Sequence, residues 1–320
     1  MSLMLRVDDL AVAIGSVNPL SGVSFALDKG ETLGIVGESG SGKSLTAMTI
    51  MGLLPLIGGR ITTGSIMFDG NELADLPESA YRKLRGGRIG LITQNPMTSL
   101  DPLRKVGPQV DVVARLHLGL DKRAAHARTL ELLGDLRIPE PASIYHLYPH
   151  QLSGGMKQRI VIAMALAADP DLLIADEPTT ALDVTVQAQI IRLLLDLVAD
   201  RNLSLVLITH DMSVVAQTCD KVVVMYAGRA IERGTISAIF DHPSHPYTQA
   251  LIGCIPRGLA VTEQLKGIEG TVPSVAHYPS GCPFHPRCPR AEGICATEPP
   301  PFVQHHDSAA ACHFAVEVAQ

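Results

Sequence analysis

Short, continuously apolar runs alternate along the chain with longer stretches in which apolar residues recur every three or four positions. Residues 32–36 (TLGIV), 172–175 (LLIA), 205–209 (LVLIT) and 221–225 (KVVVM) are of the first kind. They are too short for helices and have no polar face, which predicts strands buried on both sides in a parallel sheet. Residues 44–54, 122–136 and 184–200 are predicted helices, the latter two with charged residues along one side. TLGIV passes through a glycine-rich turn directly into the helical stretch 44–54, which is the strand, loop and helix order of a nucleotide-binding α/β unit. Residues 97–150 are rich in helix formers, and a helical subdomain is expected over about 97–160, inserted into the sheet domain. Past Phe240 the texture changes. Pro and His become frequent, and Cys282, Cys288, Cys295 and Cys312 fall close together. The predicted division is therefore 1–240 and 241–320.

Composition narrows the picture. A chain of 320 residues with 46% hydrophobic content can bury one sizeable core and carry a smaller appended unit. The net charge of −6 offers no basic surplus for nucleic-acid phosphates, so no nucleic-acid partner is expected. The apolar stretches 45–57 and 160–168 are too short to span a bilayer. The start MSLMLRVDDL lacks the basic and apolar regions of a secretion signal, and a chain kept in the cytosol would hold its six cysteines reduced or bound to metal.

The strongest local signal is GESGSGKS, formed by Gly37, Glu38, Ser39, Gly40, Ser41, Gly42, Lys43 and Ser44. It fits the P-loop pattern in its proper context, after a strand and before a helix. Glycines there let backbone N–H groups converge on phosphates, Lys43 reaches the outer phosphates and Ser44 ligates Mg²⁺. LLIADE ends a hydrophobic strand in two acids, which puts Asp176 near the metal and Glu177 beside an attacking water. Read alone, that is also how an ordinary strand ends in a polar turn. LSGGM places Ser153, Gly154 and Gly155 at a helix N-terminus, as a backbone anion site or a plain N-cap.

With these motifs in this order, residues 1 to about 235 resemble the ABC ATPase family. Its Q-loop matches Gln94 in ITQNP, its signature LSGGM, its Walker B LLIADEP, its D-loop TALD ending at Asp183, and its switch histidine His210 in LITHD. The resemblance implies an α/β fold with a RecA-like sheet, an antiparallel β subdomain and an inserted helical subdomain. It implies that Glu177 polarises water, that His210 contacts the γ-phosphate, and that Gln94 joins the Mg²⁺ site to the helical subdomain. It also implies a head-to-tail dimer in which Ser153 and Gly155 of one subunit complete the other's ATP site. Two departures stand out: Met156 occupies a signature position where many members carry Gln, and the position of the usual adenine-stacking aromatic is best matched by Ile14. Phe25 is expected to belong to the core.

HPYTQAL, IEGTVPS and GCPFHPRCP resemble the C-terminal extension of the dipeptide, oligopeptide and nickel importer ATPases. The four cysteines are spaced C-x₅-C-x₆-C-x₁₆-C, without the C-x₂-C pairs of zinc ribbons. Some ATPases of that branch hold a [4Fe–4S] cluster there, which the resemblance implies as the expectation for these four thiols; structural zinc, with His285 or His313 as further ligands, or plain reduced thiols are the alternatives. Cys219 and Cys254 are expected to be buried as small apolar residues. The lobe is expected to lie outside every motif that touches ATP, so that hydrolysis would survive loss of the cluster. The implied assembly pairs the chain with a paralogous ATPase, or with itself, beneath two transmembrane permease subunits at the cytoplasmic face of the cell membrane. An external solute-binding protein delivers the solute: peptide first, nickel or glutathione otherwise. The rivals are a soluble ABC ATPase of DNA repair or translation, which requires a coiled-coil insertion or a second ATPase unit, and an iron–sulfur redox protein switched by ATP.

Overall fold

The computed structural model describes residues 2–180, 182–255, 267–305 and 307–315. Its strands are β1 (Leu3–Ile14), β2 (Val17–Asp28), β3 (Thr32–Val36), β4 (Gly59–Phe68), β5 (Asn71–Glu72), β6 (Ile89–Ile92), β7 (Leu172–Asp176), β8 (Ser204–Thr209), β9 (Lys221–Tyr226), β10 (Arg229–Thr235), β11 (Phe302–His305) and β12 (Ser308–Ala311). Its helices are α1 (Lys43–Ile50), α2 (Glu78–Leu84), α3 (Pro96–Ser99), α4 (Val106–Leu118), α5 (Lys122–Asp135), α6 (Pro141–Ile144), α7 (Gly154–Leu166), α8 (Val184–Asp200), α9 (Met212–Thr218), α10 (Ile236–Asp241), α11 (Pro246–Gly253) and α12 (Gly293–Thr297). They fall into two compact units, one of residues 1–2, 28–31 and 75–208, the other of 3–27, 32–74 and 209–320.

In the first unit the apolar runs form the parallel ladder β6-β7-β8, with Ile89 opposite Leu172 and Leu172 opposite Ser204. Leu172, Leu173, Ile174 and Ala175 are all buried, as an unbroken apolar run requires. The helices α4, α5 and α7 pack on one another around a polar knot. Asp111 accepts from the hydroxyls of Thr129 and Tyr145, and burial followed by the Asp111 carboxylate raises the Tyr145 pKa. A Cβ on Gly107 would lie 2.0 Å from the Tyr145 ring, so the α4 backbone can meet that ring only through glycine.

The second unit contains an antiparallel sheet in the order β2-β1-β4-β5 and a mixed run β11-β12-β10-β9-β3. In the latter β3 is parallel to β9, while β10 turns back on β9 through Ala227 and Gly228, both at positive φ as a two-residue hairpin turn demands. The C-terminal residues return to this sheet, for β12 pairs with β10. Their aromatic and cysteine side chains Tyr247, Cys282, Phe284 and Cys295 share one core with Val36, Val224 and Tyr226. No helix among the described residues is long and apolar enough to cross a membrane.

Candidate active site

The P-loop hangs from the end of β3. Gly37 has φ 152°, and a Cβ there would come within 2.2 Å of the Met225 carbonyl on the adjoining β9, so glycine is required where the chain leaves the sheet. The loop tip, Ser39 and Gly40, is exposed, whereas Ser41 and Lys43 are buried. Gly42, at φ 103°, starts α1. The Lys43 ammonium donates to the carbonyls of Gly37 at 2.8 Å and Glu38 at 3.0 Å, curling the loop around its own side chain. The β9–β10 turn holds the far side, where Gly228 N–H donates to Ser41 O at 2.9 Å. His210, in the same unit, is exposed directly after β8.

Gln94, Ser153, Gly154, Gly155, Asp176, Glu177 and Asp183 belong to the other unit, which brings two donors onto the Glu177 carboxylate. Gln94 Nε2 donates to Glu177 Oε2 at 3.0 Å, and Thr180 Oγ1 donates to the same oxygen at 2.8 Å. Asp176 is the last residue of β7. Glu177 follows at φ 44°, in the left-handed region, with its N–H donating to Ile208 O at 2.9 Å. A non-glycine residue held there signals a conformation imposed by its surroundings, a common feature of reacting sites. Ser153 is the N-cap of α7, its Oγ accepting from Met156 N–H at 3.3 Å, and both Ser153 and Gly154 are exposed. Asp183 caps α8 by accepting from Val186 N–H at 3.0 Å; within TALD, Ala181 lies outside the described residues.

The four clustered cysteines line one small cavity of about 10 Å³ together with His245 and Phe284. Burial, reinforced by the other three thiols, pushes Cys282 up to about 11, and burial also raises Cys288 and Cys312. No group of three His, Cys, Asp or Glu among the described residues is gathered as a metal site. His245 bears on what the cavity accepts. It is 1% exposed and burial pushes its pKa down to about 3, so the ring is neutral. Its Nδ1 accepts from Tyr247 N–H at 3.0 Å, which leaves the ring proton on Nε2, and Nε2 is buried without a hydrogen-bond partner among the described residues. An orphaned N–H donor on a wall shared with four thiols has the chemistry to meet a sulfur acceptor, but the cavity as it stands is about the size of one water and would have to open to admit a cluster.

Two residues in this region have no sequence signature. Glu232, fully buried in β10, accepts from the N–H groups of Ser244 and His245 at 2.6 and 3.0 Å and so sets the position of His245; its own pKa is raised by burial. Arg287, in the turn His285–Arg287, forks onto the Glu38 carboxylate with N···O distances of 2.8 and 3.1 Å. The lobe therefore does touch an ATP motif, contrary to the expectation from sequence, because the chain folds back and puts the cysteine loop under the P-loop. Cys219 and Cys254 are half-buried, not fully buried; burial pushes the Cys219 thiol up to about 12. Phe25 is in the core, and Ile14 is half-buried at the end of β1.

A glycine loop closed on a lysine, and a strand ending in an acid pair, define a P-loop ATPase. The ABC transporter family model matches residues 20–180, and the model described as the C-terminal region of oligopeptide/dipeptide transporters matches residues 231–295. The chain is 48% identical over 303 residues to the oligopeptide transport ATP-binding protein OppD of Haemophilus influenzae, covering 95% of this chain and 93% of that one. It is 45% identical over 321 residues to the dipeptide transport ATP-binding protein DppD of Escherichia coli, covering 99% and 98%. Among solved structures it resembles a dimeric ATP-binding cassette in a post-hydrolysis state bound to ADP and phosphate, at 28% identity and a TM-score of 0.65, over 73% of this chain and 99% of that one. The chain belongs to the ABC transporter ATPase family, in the branch that carries the oligopeptide/dipeptide C-terminal region, and it is an ATP-hydrolysing enzyme.

Proposed function

We propose that the chain is the motor subunit of a peptide importer, coupling ATP binding and hydrolysis to uptake of di- or oligopeptides. The observation that carries this reading is the match of both family models on one chain, the ATPase over 20–180 and the peptide-transporter region over 231–295. It also supports a division into an ATPase part over 1–240, with helices over about 97–160, and an extension over 241–320, of which residues 256–266, 306 and 316–320 lie outside the described residues.

In this reading, which follows the likeness of the motifs, the P-loop amides and Lys43 would bind the phosphates. Ser44, Asp176 and Gln94 would be the residues to hold Mg²⁺, which would neutralise phosphate charge, and Glu177, oriented by Gln94 and Thr180, would take a proton from the attacking water. His210 contacts the γ-phosphate. Ser153 and Gly154, exposed at the start of α7, Gly155, half-buried beside them, and Asp183 serve the ATP site of a second, paralogous ATPase in a head-to-tail dimer. Large apolar side chains exposed around the helices, Met97, Leu103, Val112 and Leu116, suit docking to two permease subunits at the cytoplasmic face of the membrane. An external solute-binding protein supplies the peptide. Cys282, Cys288, Cys295 and Cys312 would hold a [4Fe–4S] cluster, which supplies a cross-link between chain segments and a one-electron redox centre.

The test is reconstitution with the permeases. ATPase activity is expected to rise when permeases and peptide-loaded binding protein are present, and peptide should enter the vesicles; activity indifferent to the permeases would refute the reading. Base recognition gives a second expectation. Ile14 offers no stacking face, so the triphosphate carries most of the affinity and ATP and GTP should bind comparably. A preference for ATP above about a hundredfold, equivalent to roughly 2.7 kcal/mol, would show that another residue reads the base.

A further inference from the structure

Among the described residues of the C-terminal lobe, Arg287 is the most fully hydrogen-bonded cation. Its side chain is 5% exposed, and every N–H of the guanidinium finds an acceptor. Nε donates to Glu269 O at 2.8 Å. Nη1 donates to Glu38 Oε2 at 2.8 Å and to Tyr226 Oη at 3.3 Å, and Nη2 to Glu38 Oε1 at 3.1 Å and to Ile268 O at 3.2 Å. Burial works against its charge, and the Glu38 carboxylate more than compensates, so its pKa stays above the ordinary arginine value. The backbone of Glu38 is held as well. Its N–H donates to Tyr247 Oη at 2.9 Å, and its carbonyl accepts from Lys43 and from Ser41 N–H. Tyr226, Tyr247 and Phe284 form the aromatic bed beneath, with ring centroids 4.7 and 5.3 Å apart.

This arrangement deals with a conflict built into GESGSGKS. The loop gathers a polyanion, yet its second residue is a carboxylate, and two anions in one loop repel each other unless one is neutralised. A forked guanidinium both cancels the Glu38 charge and fixes its direction, which a lysine ammonium would not do. The donor comes from the loop between Cys282 and Cys288, so the order of that loop and the charge of the nucleotide loop are joined through one side chain.

We propose that Arg287 is a positioning residue of the nucleotide site: it neutralises and holds Glu38, and through it the cysteine loop sets the affinity of the P-loop for ATP. The proposal rests on the reading of residues 37–44 as the ATP phosphate site, and a control separates the two. In the purified full chain, Lys43→Ala is expected to abolish ATP binding; retained binding would sink the site reading rather than this one.

The decisive series is R287M, E38Q and the double variant, measured for ATP affinity and for KM and kcat separately. R287M leaves the Glu38 charge bare beside the phosphates and is expected to weaken ATP binding about tenfold or more, raising KM with kcat changed less than about threefold. E38Q removes the repelling charge while the Arg287 cation stays beside the loop, and is expected to bind ATP more tightly than the wild type. E38Q together with R287M should recover binding to within about threefold of E38Q. Binding by R287M within about twofold of wild type overturns the proposal, as does a double variant as weak as R287M, since Arg287 would then act only as a structural prop. Should R287M fail to fold, E38Q alone decides: a loss of affinity beyond about fivefold would mean that the carboxylate assists ATP instead of opposing it.

Discussion

Glu177→Gln is expected to bind ATP with near wild-type affinity and to hydrolyse it about 10²–10⁴-fold more slowly, the usual contribution of a positioned general base. Glutamine keeps the length of the side chain, and its amide oxygen can still accept from Gln94 Nε2 and Thr180 Oγ1, now 3.0 and 2.8 Å from the carboxylate. The backbone at φ 44° and the bond to Ile208 O do not involve the side chain, so the local fold should survive. What is lost is the proton acceptor. Equilibrium ATP binding together with single-turnover hydrolysis checks this, and a rate above about a tenth of wild type would remove Glu177 from the role of base.

The second large effect is compositional. Anaerobically purified protein is expected to be brown and to contain about four iron and four sulfide per chain, lost when any of Cys282, Cys288, Cys295 or Cys312 is replaced by serine. All four line the cavity walled by His245, whose buried Nε2–H has no other acceptor among the described residues. Loss of a ligand should loosen residues 280–315, apart from 306, which lies outside the described residues, more than the ATPase core. Since Arg287 leaves this loop for Glu38, weaker ATP binding should accompany the loss. Elemental analysis decides between the alternatives: one zinc without iron would make the site structural zinc, and no metal would leave four reduced thiols.

The parallel strands were legible because a strand buried on both faces needs an uninterrupted apolar run, and the four predicted runs fall on β3, β7, β8 and β9 within one residue at each end. The predicted helix over 44–54 instead breaks at Ile50 and continues as a 3₁₀ turn at Leu54–Ile57, because Gly52 and Pro55 interrupt it. Individual motif positions were legible where the chemistry is local: a glycine loop, an acid pair, a capped helix. The contacts that join the C-terminal residues to the P-loop were not. Glu38 and Arg287 stand 249 positions apart, and each has an ordinary local explanation, one as a variable P-loop position and the other as a polar residue between cysteines. Glu232 likewise reads as the polar face of an edge strand, yet β12 covers it and leaves it fully buried. A change of composition at Phe240 shows where local texture shifts; pairing between β10 and β12 crosses that point because hydrogen bonding follows the sheet, not the texture.

The separation between Glu38 and its clamp also fixes an order of events on the ribosome. At about 5–20 residues per second, the P-loop emerges on the order of 10–50 seconds before the arginine that neutralises it. Throughout that interval the nascent chain carries a glycine loop with an uncompensated carboxylate, and for most of it the chain also lacks Tyr226, Tyr247 and the β9–β10 turn, which are made shortly before the arginine. The nucleotide site is therefore completed at the end of synthesis, and a chain broken off before residue 287 releases a P-loop poorly suited to take ATP from the surrounding pool.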